Sequence, residues 1–171
     1  MKGRKPKEKP SDVGVNISLL EMEIAISNLF DIRKNIIVPN ISWGLGIHEC
    51  DLFIVRNTGY CIEVEIKRSK QDLKKDFEKK HSHIDKENRI KEFYYAIPDY
   101  LYDSCKELIG DKGLITVSKW NSGKNTYIKA KFHTKSTSTK DARKLTDKEI
   151  LKVLKLGVMR VWKLKEKLSK K

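Results

Sequence analysis

Apolar residues along the chain repeat with two different periods. From Ile17 to Arg33 they recur near helical spacing, Leu20 and Ile24 among them, with Asn16 or Ser18 placed to cap the start, so an amphipathic helix is expected. Ile36-Ile37-Val38 reads as a short strand ended by Pro39-Asn40, and Trp43-Gly44-Leu45-Gly46 as a turn. Alternation then takes over. Cys50 to Arg56 and Tyr60 to Lys67 are expected strands joined by Asn57-Thr58-Gly59, a loop that suits a hairpin.

Ser69 and Asp72 have the spacing of a capping box, which predicts a lysine-rich helix from Lys70 to about His81 and a polar loop to Asn88. Phe93 to Ile97 is an apolar run of strand length before Pro98, and Asp99 opens a helix to about Ile109. Gly110 and Gly113 bracket a turn; Leu114 to Ser118 and Tyr127 to Phe132 are further strands. A Ser/Thr/Lys linker spans Thr134 to Lys140. Thr146 with Glu149 caps a last helix to about Leu168, whose apolar side is read as Ile150, Leu151, Leu154, Val158 and Trp162. Alternating helices and strands imply an α/β fold, with helices over a central mixed sheet.

Composition narrows the class. With 171 residues, 39% of them hydrophobic, the chain has room for one core: a basic arm over 1–13 and a single domain over 14–171, with 141–171 as a C-terminal helical extension. Lys and Arg total 37 against 23 Asp and Glu, a net charge of +14 spread along the chain, which favours a polyanionic partner. The three cysteines form no CxxC pair, which argues against a disulfide framework or structural zinc and suits a reducing cytoplasm. No apolar run approaches the ~20 residues of a membrane span, so no membrane partner is expected.

Candidate chemistry concentrates in Cys61 to Lys67. In a strand, Ile62, Val64 and Ile66 share one face, and Glu63, Glu65 and Lys67 the other. A three-residue loop sets Arg56 opposite Tyr60, and so Asp51 opposite Glu65, while Leu52 and Ile54 meet Val64 and Ile62. Opposed carboxylates repel by roughly 0.2–1 kcal/mol in a sheet. A divalent cation turns that repulsion into ligation, with water and a substrate phosphate completing the shell. Lys67, on the same face, supplies a fixed positive charge.

Asp51 followed by Glu65-Ile66-Lys67 on the second strand of a hairpin resembles the motif of the PD-(D/E)xK nuclease superfamily, which includes restriction endonucleases and Holliday-junction resolvases. The resemblance covers roughly residues 17 to 118. It implies a restriction-endonuclease-like core and Mg²⁺-dependent hydrolysis of DNA phosphodiesters, with Mn²⁺ able to substitute. Asp51, Glu65 and the backbone carbonyl of Ile66 would hold the metal, and Lys67 would position or activate water. Two departures stand out: Cys50 replaces the proline of the motif, and Glu63 is an extra acid on the same face, either a further ligand, the main ligand in place of Glu65, or a partner for Lys67. Members often add a glutamate from the first helix; Glu23, beside the apolar stripe, is favoured over Glu21.

Arg68, Lys70, Gln71, Lys74 and Lys75 are candidate contacts to a DNA backbone. The acids Asp72, Asp76 and Glu78 equally offer ordinary i, i+4 pairing. His81 and His83 read as loop residues, Phe93-Tyr94-Tyr95 as core, and Trp120 as a candidate stacking residue. Expected settings are DNA repair, recombination or phage and mobile-element DNA processing, with a homodimer where paired nicks are made. The alternative is a catalytically silent DNA-binding protein of the same fold.

Overall fold

A computed structural model describes residues 16–41, 49–78 and 87–170. The arm, the Trp43–Gly46 turn, His81 and His83 lie outside these residues. The order is α1 (Leu19–Leu29), β1 (Ile36–Ile41), β2 (Cys50–Val55), β3 (Cys61–Ile66), α2 (Lys70–Glu78), β4 (Ile90–Pro98), a 3₁₀ turn (Asp99–Leu101), α3 (Tyr102–Ile109), β5 (Gly113–Ser122), β6 (Asn125–Thr134) and α4 (Asp147–Ser169). The strands form one six-stranded sheet in sequence order. It is mixed: β3–β4 and β4–β5 pair in parallel, the other neighbours antiparallel. The chain is therefore an α/β protein with helices flanking a central mixed sheet.

Two helix starts follow from capping. Ser18 accepts from the N–H of Glu21 while the Glu21 carboxylate returns to Ser18, and Thr146 and Glu149 repeat the box at α4. Helix α1 stops at Leu29, short of the expected Arg33; Phe30 caps it and Asp31 takes a positive φ of 53°. Strand β1 does not stop at Pro39. It runs through Pro39, paired with Leu52, to Ile41, paired with Cys50. Proline fits there because β1 is an edge strand, where a missing N–H breaks no ladder.

Strands β5 and β6 are longer than their apolar runs, which sequence reading limits to 114–118 and 127–132. They extend through the polar stretch to a turn at Gly123, whose φ of 60° suits glycine. Cross-strand pairs, Trp120 with Tyr127 among them, carry the hairpin where burial no longer does.

The sheet has three apolar clusters. On one face Leu52, Ile54, Ile62, Val64, Ile66, Ile115 and Val117 pack under Met22, Ala25 and Ile26 of α1. On the opposite face Val38, Phe53, Val55 and Cys61 pack under Val153 of α4, and Tyr95, Ile97 and Leu114 pack under Leu73 of α2 with Cys105 and Ile109 of α3. The packed side of α4 differs from the expected one. Val153 is buried and Gly157 passes Val38 closely enough that a Cβ would meet it at 3.3 Å. Leu151, Leu154, Val158 and Trp162 instead face outward, each at least 44% exposed. Both sides of α4 carry apolar residues, so periodicity could not choose between them. Among the described residues no helix is long and apolar enough to cross a membrane.

Candidate active site

The β2–β3 register places the chemistry. Leu52 pairs with Val64, Phe53 with Glu63, Ile54 with Ile62 and Val55 with Cys61. The Arg56 N–H donates to the carbonyl of Tyr60 and closes the hairpin. The ladder ends at Leu52–Val64; extended by one pair, its register would set Asp51 across from Glu65. Asp51 then does more than oppose it: its Oδ2 accepts the Ile66 N–H at 2.7 Å. A strand residue's N–H and C=O leave on the same side, so the Ile66 carbonyl is directed towards Asp51 as well.

Glu63, Glu65 and Lys67 share the face opposite the α1 cluster, but they are not solvated. They are 1%, 5% and 7% exposed. Burying charge is costly unless it is paired, and the pairs are present. Lys67 Nζ lies 2.7 Å from Glu65 Oε2 and 2.9 Å from Asp76 Oδ1. The Tyr95 hydroxyl donates to Asp76 Oδ2 at 3.0 Å. A chain thus runs Tyr95–Asp76–Lys67–Glu65 and locks the lysine from both sides.

Asp76 is the residue that sequence reading misses, since its pattern offers only i, i+4 pairing along α2. It is 5% exposed. The available signal was its place three residues after Leu73, on the buried side of the helix. Ser69 Oγ accepts from the N–H of Asp72 at 3.1 Å, so the cap that starts α2 also aims Asp76 at the site.

The first helix contributes asymmetrically. Glu21 is occupied by its capping box and by Lys119 Nζ at 2.7 Å, which with Ser18 pulls its pKa down to about 2. Glu23 is half-buried, and burial raises its pKa; the Asn40 side chain opposes that rise, and the Asp51 charge adds to it. Of the two, Glu23 approaches the site.

The carboxyls of Asp51 and Glu65 are both raised above their ordinary range, first by burial. For Asp51 the Ile66 N–H and Lys67 pull the other way, while Asp76 and Glu49 push it further up. For Glu65 the Lys67 hydrogen bond opposes the rise, and Asp51 and Glu63 reinforce it. Burial would lower Lys67, but Glu65 and Asp76 overcome this and its net shift is upward. Burial thus dominates the two carboxyls, and neighbouring carboxylates dominate the lysine.

Among the described residues no group of three or more His, Cys, Asp or Glu side chains is arranged to hold a metal ion. Mg²⁺ does not demand one, being commonly held by one or two carboxylates with water and substrate phosphate. The excess negative charge, the opposed carboxylates of Asp51 and Glu65 and the Ile66 carbonyl suit such a hard cation.

Lys70, Gln71, Lys74, Lys75 and Glu78 line an open concavity of about 510 Å³ on the exposed side of α2, opposite the side that carries buried Leu73 and Asp76. Arg68 is exposed at the helix entrance. Tyr94 and Tyr95 are buried and Phe93 partly so, as expected of core residues. Trp120 is half-buried and stacks on Tyr127, with ring centroids 5.7 Å apart and planes at 17°.

No family model matches the chain, and no curated protein matches it. One solved structure is similar: the SPO1766 protein of unknown function from Silicibacter pomeroyi, at 12% identity and a TM-score of 0.58, covering 88% of this chain and 91% of that one. That likeness bears on the fold alone and shows the α/β arrangement recurring over most of both chains.

Proposed function

We propose that the chain is a Mg²⁺-dependent DNA endonuclease of the PD-(D/E)xK type, with a restriction-endonuclease-like core, working in the cytoplasm on DNA repair, recombination or mobile-element DNA. The observation that carries this reading is the juxtaposition of half-buried Asp51 with buried Glu65 and Lys67 at the end of the β2–β3 hairpin. Opposed carboxylates that are expensive to bury gain a purpose when a cation joins them.

Asp51, Glu65 and the Ile66 carbonyl would hold the metal, with Glu23 and Glu63 close by. When bound, it would lower the pKa of water and offset charge on the scissile phosphate. Lys67 stays charged between two carboxylates, so its role is to orient the attacking water and face the phosphate's developing charge rather than to remove a proton. Asp76 and Tyr95 position Lys67 and touch no substrate. Arg68, Lys70, Gln71, Lys74 and Lys75 are exposed, and on this reading they would contact the DNA backbone.

The alternative is a DNA-binding protein of this fold that does not cleave. A binder has no use for two acids set together at such a site, which favours the enzyme. Plasmid and branched DNA incubated with Mg²⁺, Mn²⁺ or EDTA separates the two. Metal-dependent cleavage abolished by Asp51→Asn is the expected result. Binding in EDTA without cleavage under either metal would leave the silent binder.

A further inference from the structure

The β5–β6 hairpin reaches past the sheet on the edge that carries the site. Glu65 is level with Tyr95, and Tyr95 with Leu114, in the parallel ladders. Lys67 is thus level with Thr116, and Trp120 lies four residues further along β5. At strand spacing this is roughly 13 Å beyond Lys67 and roughly 10 Å across the sheet. Alternation gives the face. Val117 and Ala130 pack under α1, so Trp120, Tyr127, Lys129 and Lys131 point to the opposite face, the one that carries Glu65 and Lys67.

The platform is held rigidly. Trp120 pairs directly with Tyr127 and their rings stack. Thr126 Oγ1 donates to Asn121 Oδ1 at 2.8 Å beyond them. At its root, Lys119 binds Glu21, two residues from Glu23 on α1. Tyr127 is 44% exposed; exposed Lys129 and Lys131 follow it along the same face of β6, and exposed Lys124 precedes it at the turn. An aromatic pair with lysines along the same face is complementary to a nucleic-acid strand with unpaired bases: lysines meet phosphates and the outward ring faces meet bases. Bases within a closed duplex present no free ring face to such a platform.

We infer that Trp120 and Tyr127 form a stacking platform for unpaired nucleotides, so that the substrate is DNA with a single-stranded segment a few nucleotides from the scissile bond. The choice of DNA rests on the nuclease reading; the platform itself is tested without cleavage. Fluorescence anisotropy in EDTA compares the full chain on labelled oligothymidylate and on a blunt duplex of equal length. Replacing both residues, Trp120→Ala with Tyr127→Ala, should weaken oligothymidylate binding about ten-fold or more and leave duplex binding unchanged. The Trp120→Phe, Tyr127→Phe pair should retain it, because the ring faces remain.

Equal weakening on both ligands, or a lowered melting temperature with unchanged binding, overturns the platform and leaves a cross-strand pair that only stabilises the hairpin. Absence of oligothymidylate binding by the unaltered chain overturns it too. Duplex cleavage is scored separately. Cleavage that survives the double alanine change but fails in Asp51→Asn keeps the nuclease reading whatever the platform does. Lost oligothymidylate binding with no cleavage by any variant keeps the platform and removes the nuclease.

Discussion

The β2–β3 and β5–β6 hairpins set charged side chains on one face of the same sheet and treat them in opposite ways. In β2–β3, α4 covers one flank and α2 the other, so Glu63, Glu65 and Lys67 are buried. In β5–β6 no helix covers the outer end of that face among the described residues, and Lys129 and Lys131 remain exposed. The same contrast separates two lysine–glutamate pairs of equal length. Lys67 and Glu65 meet at 2.7 Å among other carboxylates, and the pKa of Glu65 rises. Lys119 and Glu21 also meet at 2.7 Å, at a helix cap near the surface, and the pKa of Glu21 falls. Pair distance alone therefore says little; burial and the surrounding charges decide the sign.

The sharpest way to break this comparison is to remove one lysine from each hairpin. Lys67→Met leaves Glu65 and Asp76 buried without their cation and should cost about 3–5 kcal/mol in urea unfolding. Lys129→Met should stay within about 0.5 kcal/mol. Equal effects would show that the β2–β3 charges are not coupled.

Activity should divide the hairpins next. Asp51→Asn or Glu65→Gln should lower Mg²⁺-dependent cleavage at least ~100-fold. Lys131→Ala should leave the cleavage rate of bound DNA intact while reducing the salt dependence of binding by about one phosphate contact. Cleavage unaffected by Asp51→Asn would sink the metal assignment.

A smaller contrast lies inside the core. Buried Lys67 has its hydrogen-bond partners, whereas among the described residues Thr116 Oγ1 on β5 has none. Thr116→Val keeps the shape and removes the orphaned oxygen, so a gain of up to about 1 kcal/mol is expected in thermal unfolding. A loss of that size would mean that the hydroxyl is satisfied in solution.

The smallest effect concerns pH. The folded pKa of Glu21, about 2, lies below its ordinary value of 4.5, so its pair with Lys119 stabilises the fold above pH 4.5. That contribution fades as pH falls from 4.5 towards 2. Solvent screens a pair with 28% of the Glu21 side chain exposed, which limits the effect to roughly 0.5–1 kcal/mol. Lys119→Met should flatten this part of the stability–pH curve; an unchanged slope would show that the pair is not formed.

Local pattern was enough for much of the molecule. The alternation around Asn57-Thr58-Gly59 determined the β2–β3 register, since a one-residue slip would turn Leu52, Ile54, Ile62 and Val64 out of the core. Two capping boxes marked where α1 and α4 begin. Those features depend on neighbours in sequence, and a single chain displays them. Other features depend on what packs above a strand or helix. Asp76 belongs to the Lys67 network only because α2 folds back over β3 and β4, and α4 buries Val153 rather than Leu154 because β1 lies on that side. Sequence by itself placed Asp51, Glu65 and Lys67 on one patch. Only the tertiary structure decided that the patch is buried, that Asp76 completes it and that Glu23 approaches, because burial and charge balance come from elements distant along the chain.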